Sequence, residues 1–167
     1  MNSNLIFDFS VDKASNTIKI TREFAANRSL VWSAWTEAEI LDQWWAPKPW
    51  KSKTKHMDFS EGGTRLYAMC GPEGEEHWGV TQFLSIKPKD LFTGTDAFAD
   101  EKGTVNEAFP TSSFEIVFKE HGAHTVVENT TMYPSLAQLE ANIQMGFQEG
   151  MTMALENLDA YLSQHAH

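Results

Sequence analysis

Between Trp50 and Tyr133 the chain is cut into short segments by turn signals, and this meter restricts the folds open to it. The segments "SEGGT", "GPEGEE", "KPKD", "ADEKGTVNEAFP" and "EHGAH" hold the glycine, proline and polar residues that interrupt regular structure. Between and beside them lie "RLYAMC", "HWGVTQFLSI", "LFTGTDAF", "SFEIVFK" and "TVVENTTMY", which fit antiparallel strands joined by hairpins. In "SFEIVFK", Phe114, Ile116 and Phe118 share one face, while Ser113, Glu115 and Lys119 share the other. Such alternation marks a strand with one buried side. "WKSKTKHMDF" is less regular, because Lys51, Lys53 and Lys55 are in phase with Met57 and Phe59. Either a bulge near Lys55 reverses the facing, or the lysines line an open end of the sheet.

Helical patterns flank this region. "TIKITREFAA" (Thr17 to Ala26) reads as a first strand, and Asn27 is placed to cap a helix carrying Leu30, Val31, Ala34 and Trp35. Thr36 marks a second short helix, with Glu39 at the capping-box position, and "APKPW" ends it. Beyond Tyr133, Pro134 and Ser135 open a helical pattern that continues to Leu162. Leu139, Ile143, Gly146, Phe147, Gly150, Met151, Ala154, Leu158 and Tyr161 fall in one apolar sector of it. Two glycines on that face each cost roughly 1 kcal/mol relative to alanine. They serve either close backbone packing or an unfilled volume beside the helix.

The 167 residues (18.9 kDa) show no repeat or linker, so a single α+β domain is expected over 1–167, with a core of about 17–162 and an N-terminal extension at 1–16. A net charge of -10 argues against binding nucleic acid or an anionic membrane surface. No apolar run approaches the roughly 20 residues that span a bilayer. The N-terminus lacks the pattern of a signal peptide, and Cys70 has no intramolecular partner, so a cytoplasmic location is expected.

Chemical motifs are sparse. His121 and His124 flank Gly122 in a turn, and His165 and His167 lie in the tail; neither pair has an organised third and fourth ligand, so no metal is expected. Cys70 has no basic partner to activate it. Neither a nucleophile elbow nor a phosphate-cradling loop is present. Asp58, Glu61, Glu76, His77, Asp96 and Glu128 lie in or near strands, where a solvated face accounts for most of them and one could project into a cavity. No catalytic set stands out, and no cofactor is expected.

"WTEAEILDQWWAPKPW", "FSEGGTRLYAMCGPEGEEHWGVTQFLSIKPKDLFTGTDAFADEKG" and "MGFQEGMTMALENLDAYL" together resemble the domain named for the activator of the ninety-kilodalton heat-shock-protein ATPase. That family belongs to the START-like, helix-grip (SRPBCC) superfamily. The resemblance rests on Trp44-Trp45, Gly62-Gly63, Gly71-Pro72-x-Gly74, Ile86-x-Pro88 and Gly150, in this order. Two departures are Met151, where the family commonly has tryptophan, and Ser60-Glu61, where it often has Arg-Pro.

The resemblance implies a curved antiparallel sheet wrapped around a long C-terminal helix, with two short helices after the first strand and a cavity between sheet and long helix. Trp45, Met57, Met69, Trp78, Phe92, Met132, Ile143, Phe147, Gly150 and Met151 are the expected lining, and Trp44 to Trp50 would border the entrance. A small hydrophobic ligand is then the expected partner. The alternatives are a cyclase- or hydrolase-type enzyme using a cavity acid or His77, and a module acting on a chaperone ATPase. The last has weak support, since the chain lacks the extra chaperone-binding domain of the eukaryotic namesakes. A homodimer is compatible with the sequence, although no motif calls for one.

Overall fold

The computed structural model describes residues 5–109 and 111–165; His167 lies outside them. In chain order the elements are β1 (Phe7–Asp12), β2 (Thr17–Phe24), α1 (Arg28–Thr36), α2 (Ala38–Trp44), β3 (Lys51–Met57), β4 (Thr64–Cys70), β5 (Glu76–Lys87), β6 (Leu91–Ala99), β7 (Ser112–His121), β8 (His124–Met132), α3 (Leu136–Gln144) and α4 (Phe147–His165). All strands join one antiparallel sheet in the order β1-β2-β8-β7-β6-β5-β4-β3. The α1–α2 connection carries the chain from β2 to the far edge, and the meander then returns until β8 pairs with β2. This is the helix-grip architecture expected from the sequence.

The N-terminal extension is partly a strand. β1 pairs with β2 from Phe7 opposite Arg22 to Asp12 opposite Thr17. Phe7, Phe9 and Val11 alternate with Asp8, Ser10 and Asp12, a strand pattern the sequence reading did not pick out, and at this sheet edge only Phe9 is half-buried. Phe9 faces Phe147 of α4, with ring centroids 6.3 Å apart.

Local chemistry sets the helix ends. Asn27 Oδ1 accepts from the Leu30 amide at 2.9 Å and caps α1 as expected. The capping box expected at Thr36 and Glu39 does not form. The Thr36 hydroxyl instead donates back to the Trp32 carbonyl at 2.8 Å, and Glu37 takes the N-cap position of α2 without a side-chain bond. The α1–α2 corner is held by the buried Trp44 indole, which donates to the Ala34 carbonyl at 2.9 Å and meets Trp35 edge-on at 4.7 Å.

A register shift between Thr54 and His56 settles the facing of the lysines in favour of a bulge. Lys51 and Lys53 are exposed and Ser52 between them is buried, whereas Met57 beyond the bulge turns half inward. Lys55, at the bulge, donates to the Glu101 carbonyl at 2.8 Å, with its Nζ 5.7 Å from the Trp78 ring centroid.

The terminal helix is two helices rather than one. The helix starts where Pro134 and Ser135 marked it, with Ser135 as the N-cap of α3, but Gly146 adopts φ +89° and terminates it, and α4 starts at Phe147. The glycine is thus required by the left-handed turn rather than tolerated within a helix. Gly150, inside α4, is different: a Cβ added there would meet only Pro47 Cγ, at 3.9 Å. We therefore expect opposite signs from the same substitution at the two sites. Gly146→Ala should lower stability by about 1 kcal/mol, because an L-residue is strained at that φ. Gly150→Ala should raise it by up to about 1 kcal/mol through helix propensity. Urea unfolding of both variants checks this.

Candidate functional site

Because side chains alternate along a strand, every second residue of β4 to β8 projects toward α4. β4 sends in Arg65, Tyr67 and Met69; β5 Thr81 and Phe83; β6 Phe92, Asp96 and Phe98; and β8 Asn129 and Thr131, followed by Tyr133. From the other side come Phe147, Gly150, Met151 and Ala154 of α4, while Trp35, Leu41 and Trp45 of the α1–α2 region close one end. These groups do not meet. They leave a cavity of about 380 Å³ with mostly apolar walls. The exposed residues Met145 and His77 border it, so it communicates with solvent.

Seven of the ten residues expected to line such a space border it: Trp45, Met69, Trp78, Phe92, Phe147, Gly150 and Met151. Trp78 stands on the opposite strand phase to His77 and Gly79, with its ring near Lys55. The other three lie elsewhere. Met132 is 48% exposed, because Thr131 and Tyr133 hold the inward phase at that end of β8. Met57 sits on β3, outside the strands that ring the cavity, and packs against the aromatic core. Ile143 also packs into the core, leaving Asn142 and Met145 of the same region to face the cavity.

Apart from His77 and Asp96, sequence reading passed over the polar members. Asn129 and Thr131 follow Thr125 and Val127 on one phase of β8, and counting from buried Val127 would have found them. Tyr133 accepts from the Asn142 side-chain amide, which ties the end of β8 to α3. Arg65, only 3% exposed, had no signal at all. Its partners come from α2 and β3: Nη2 lies 3.4 Å from Asp42 Oδ1 and donates to Ser52 Oγ at 3.0 Å, while Nε donates to Thr54 Oγ1 at 3.2 Å. Asp42 also accepts from the Ser52 and Thr54 hydroxyls and from the Thr54 amide. The guanidinium stacks on Tyr67, 4.1 Å from its centroid. Gly79 makes room for that phenol: a Cβ there would fall 2.8 Å from Tyr67 Cζ and Oη.

Of the acid and base candidates, only His77 and Asp96 border the cavity. Asp58, Glu61 and Glu76 are exposed, and Glu128 pairs with Lys119 at 3.2 Å. His121 and His124 do flank the turn at Gly122, yet both point Nδ1 at buried Glu23, at 3.4 and 2.8 Å. The His124 hydrogen bond, foremost, holds that carboxyl below its usual range. Among the described residues no three His, Cys, Asp or Glu side chains are grouped to hold a metal ion, and no helix is long and apolar enough to cross a membrane.

The family model described as "Activator of Hsp90 ATPase homolog 1-like protein" matches residues 25–163. The chain belongs to this family. Protein Ms6760 from Mycobacterium smegmatis is similar in structure, with a TM-score of 0.87 and 28% identity, covering 96% of this chain and 99% of that one. A solution structure from Arthrobacter aurescens superposes at TM-score 0.89 with 29% identity, covering 94% and 91%. CalU16 from Micromonospora echinospora shares the fold at TM-score 0.61 and 22% identity, covering 96% and 85%. No curated protein matches the sequence.

Within this Hsp90-activator-like domain, the cavity wall carries an uncommon carboxyl. Burial pushes Asp96 up to about 6, opposed by the Thr81 hydroxyl that donates to Oδ1 and by the positive field of Arg65. Burial, and then the nearness of Asp96, also push the Tyr133 phenol upward. The sign for stability follows from proton uptake. Asp96 ionises near 6 when folded and near 3.8 when unfolded, so stability should fall as pH rises from about 4 to 6, and the loss is complete above 6. Asp96→Asn removes that penalty. Thermal melts should show the variant more stable than the parent by roughly 2–3 kcal/mol at pH 7.5, with the gain fading as pH falls toward 4.

Proposed function

We propose that this domain binds a small, largely apolar molecule in the space between the sheet and α4. One observation carries the reading: about 380 Å³ stays open where rings from two sides face each other and Gly150 contributes no side chain. Close packing is the rule in protein interiors, so a volume of this size within a well-formed core calls for an occupant. The walls suit a flat hydrophobic body, since Trp45, Tyr67, Phe98 and Phe114 offer faces and edges rather than methyl groups. Met69 and Met151 supply adaptable surface. Membership of a family built on this fold supports the same conclusion.

Gly150 gives the experiment a clean handle. A Cβ placed there meets only Pro47 Cγ at 3.9 Å and Gly150 borders the cavity, so Gly150→Leu should fold normally while occupying part of that space. A neutral fluorescent probe, N-phenyl-1-naphthylamine, should bind the parent protein with enhanced emission. In Gly150→Leu its affinity should drop at least about tenfold, or 1.4 kcal/mol, with an unchanged circular dichroism spectrum. Absence of probe binding in the parent, or equal affinity in the variant, would remove the proposal.

A further inference from the structure

We infer that the preferred occupant of the cavity carries a protonated amine at one end of its apolar body, held against the free oxygen of Asp96. This rests on the cavity reading and specifies it. Asp96 Oδ1 receives the Thr81 hydroxyl, whereas Oδ2 has no hydrogen-bond partner among the described residues, and Asp96 borders the cavity. A carboxylate oxygen without a partner in apolar surroundings is costly, and a donor on a ligand would relieve that cost.

The balance of charge decides which donor. Arg65 is the one lysine or arginine bordering the cavity among the described residues, and it is already matched by Asp42 at 3.4 Å and by the Tyr67 face. The field of Arg65 reaches Asp96, but its N–H groups are directed to Asp42, Ser52 and Thr54, so Asp96 is left as the cavity charge with no ion-paired hydrogen bond. An anionic headgroup such as a fatty acid's would face this carboxylate and a protein of net charge -10. A cation is favoured by both. Phe98 and Tyr133 border the same cavity, and aromatic rings attract positive charge. A neutral hydroxyl could donate the same hydrogen bond, but it would leave the charge unpaired.

Three probes with one apolar body separate these cases: 2-naphthylmethylamine, 2-naphthalenemethanol and 2-naphthoic acid. Each is titrated against protein carrying N-phenyl-1-naphthylamine at pH 8. The amine should displace the dye at a concentration at least about tenfold below the alcohol, with the acid weakest. In Asp96→Asn the amine-to-alcohol ratio should collapse toward one. The parent protein offers the same comparison without a substitution, because lowering the pH from 8 to 5 protonates Asp96 and should shrink the ratio.

The other ionisable groups bordering the cavity are Arg65 and Tyr67 from β4, His77 from β5 and Tyr133 beyond β8. Both phenols are pushed upward, away from this range, and the pH series is repeated in His77→Gln, where the ratio should still shrink. A ratio near one in the parent at pH 8, an acid that binds as tightly as the amine, or a preference that survives in Asp96→Asn would overturn the assignment and leave the cavity reading standing. Failure of the dye itself to bind the parent would overturn both.

Discussion

The cavity follows from a mismatch of widths between one helix and the face it must cover. A helix with its side chains is about 10–12 Å across, whereas the centres of β4 and β8, four strand spacings apart, span about 19 Å. A single α4 cannot fill that face. The α1–α2 corner fills one end, where Trp35, Trp44 and Trp45 pack edge to face with each other and Trp35 meets Phe118. The backbone of α4 runs alongside more of α2, α3 and α1 than of any strand. Its C-terminal half is anchored by buried Leu155, Leu158 and Leu162, by the Asn157 amide on the Ala46 carbonyl at 3.1 Å, and by Asp159 beside Arg22 at 3.9 Å. Its N-terminal half is therefore held over the sheet from one end, and the space beneath it stays open.

Elements specified by neighbouring residues were legible in the sequence, and those specified by distant partners were not. The alternation of Phe114, Ile116 and Phe118 placed β7, and Asn27 and Ser135 declared their helix starts, because each signal lies within a few residues. β1 went unseen although Phe7, Phe9 and Val11 alternate with Asp8, Ser10 and Asp12, because the pattern spans only six residues at an exposed edge. The α3–α4 break was hidden because glycine at 146 suits both a close-packed helix face and a left-handed turn. At the site, aromatic and sulfur-containing residues were recoverable by type. Choosing by type also selected Met132, where phase counted from Val127 would have chosen Thr131 and Tyr133. Arg65 and Asp42 lie far apart in the chain, and no local pattern announces that they meet.

That ion pair also shapes the interior electrostatically. Asp42 joins α2 to β3 and β4 through Ser52, Thr54 and Arg65, so the element that closes one end of the cavity is fastened to its wall by polar contacts. Burying a guanidinium is tolerable only with such matching. Burial makes Asp96 resist ionisation at the cavity wall, and with Arg65 engaged elsewhere only the Thr81 hydroxyl hydrogen-bonds it among the described residues.

Gly150 has an evolutionary consequence. Since the space beside it is empty and its backbone is ordinary helix, one codon sets interior capacity there while the fold is left alone. Single substitutions at this position can therefore change the interior volume without a clash at Cβ. The scaffold and the size of its interior are thereby free to diverge at different rates.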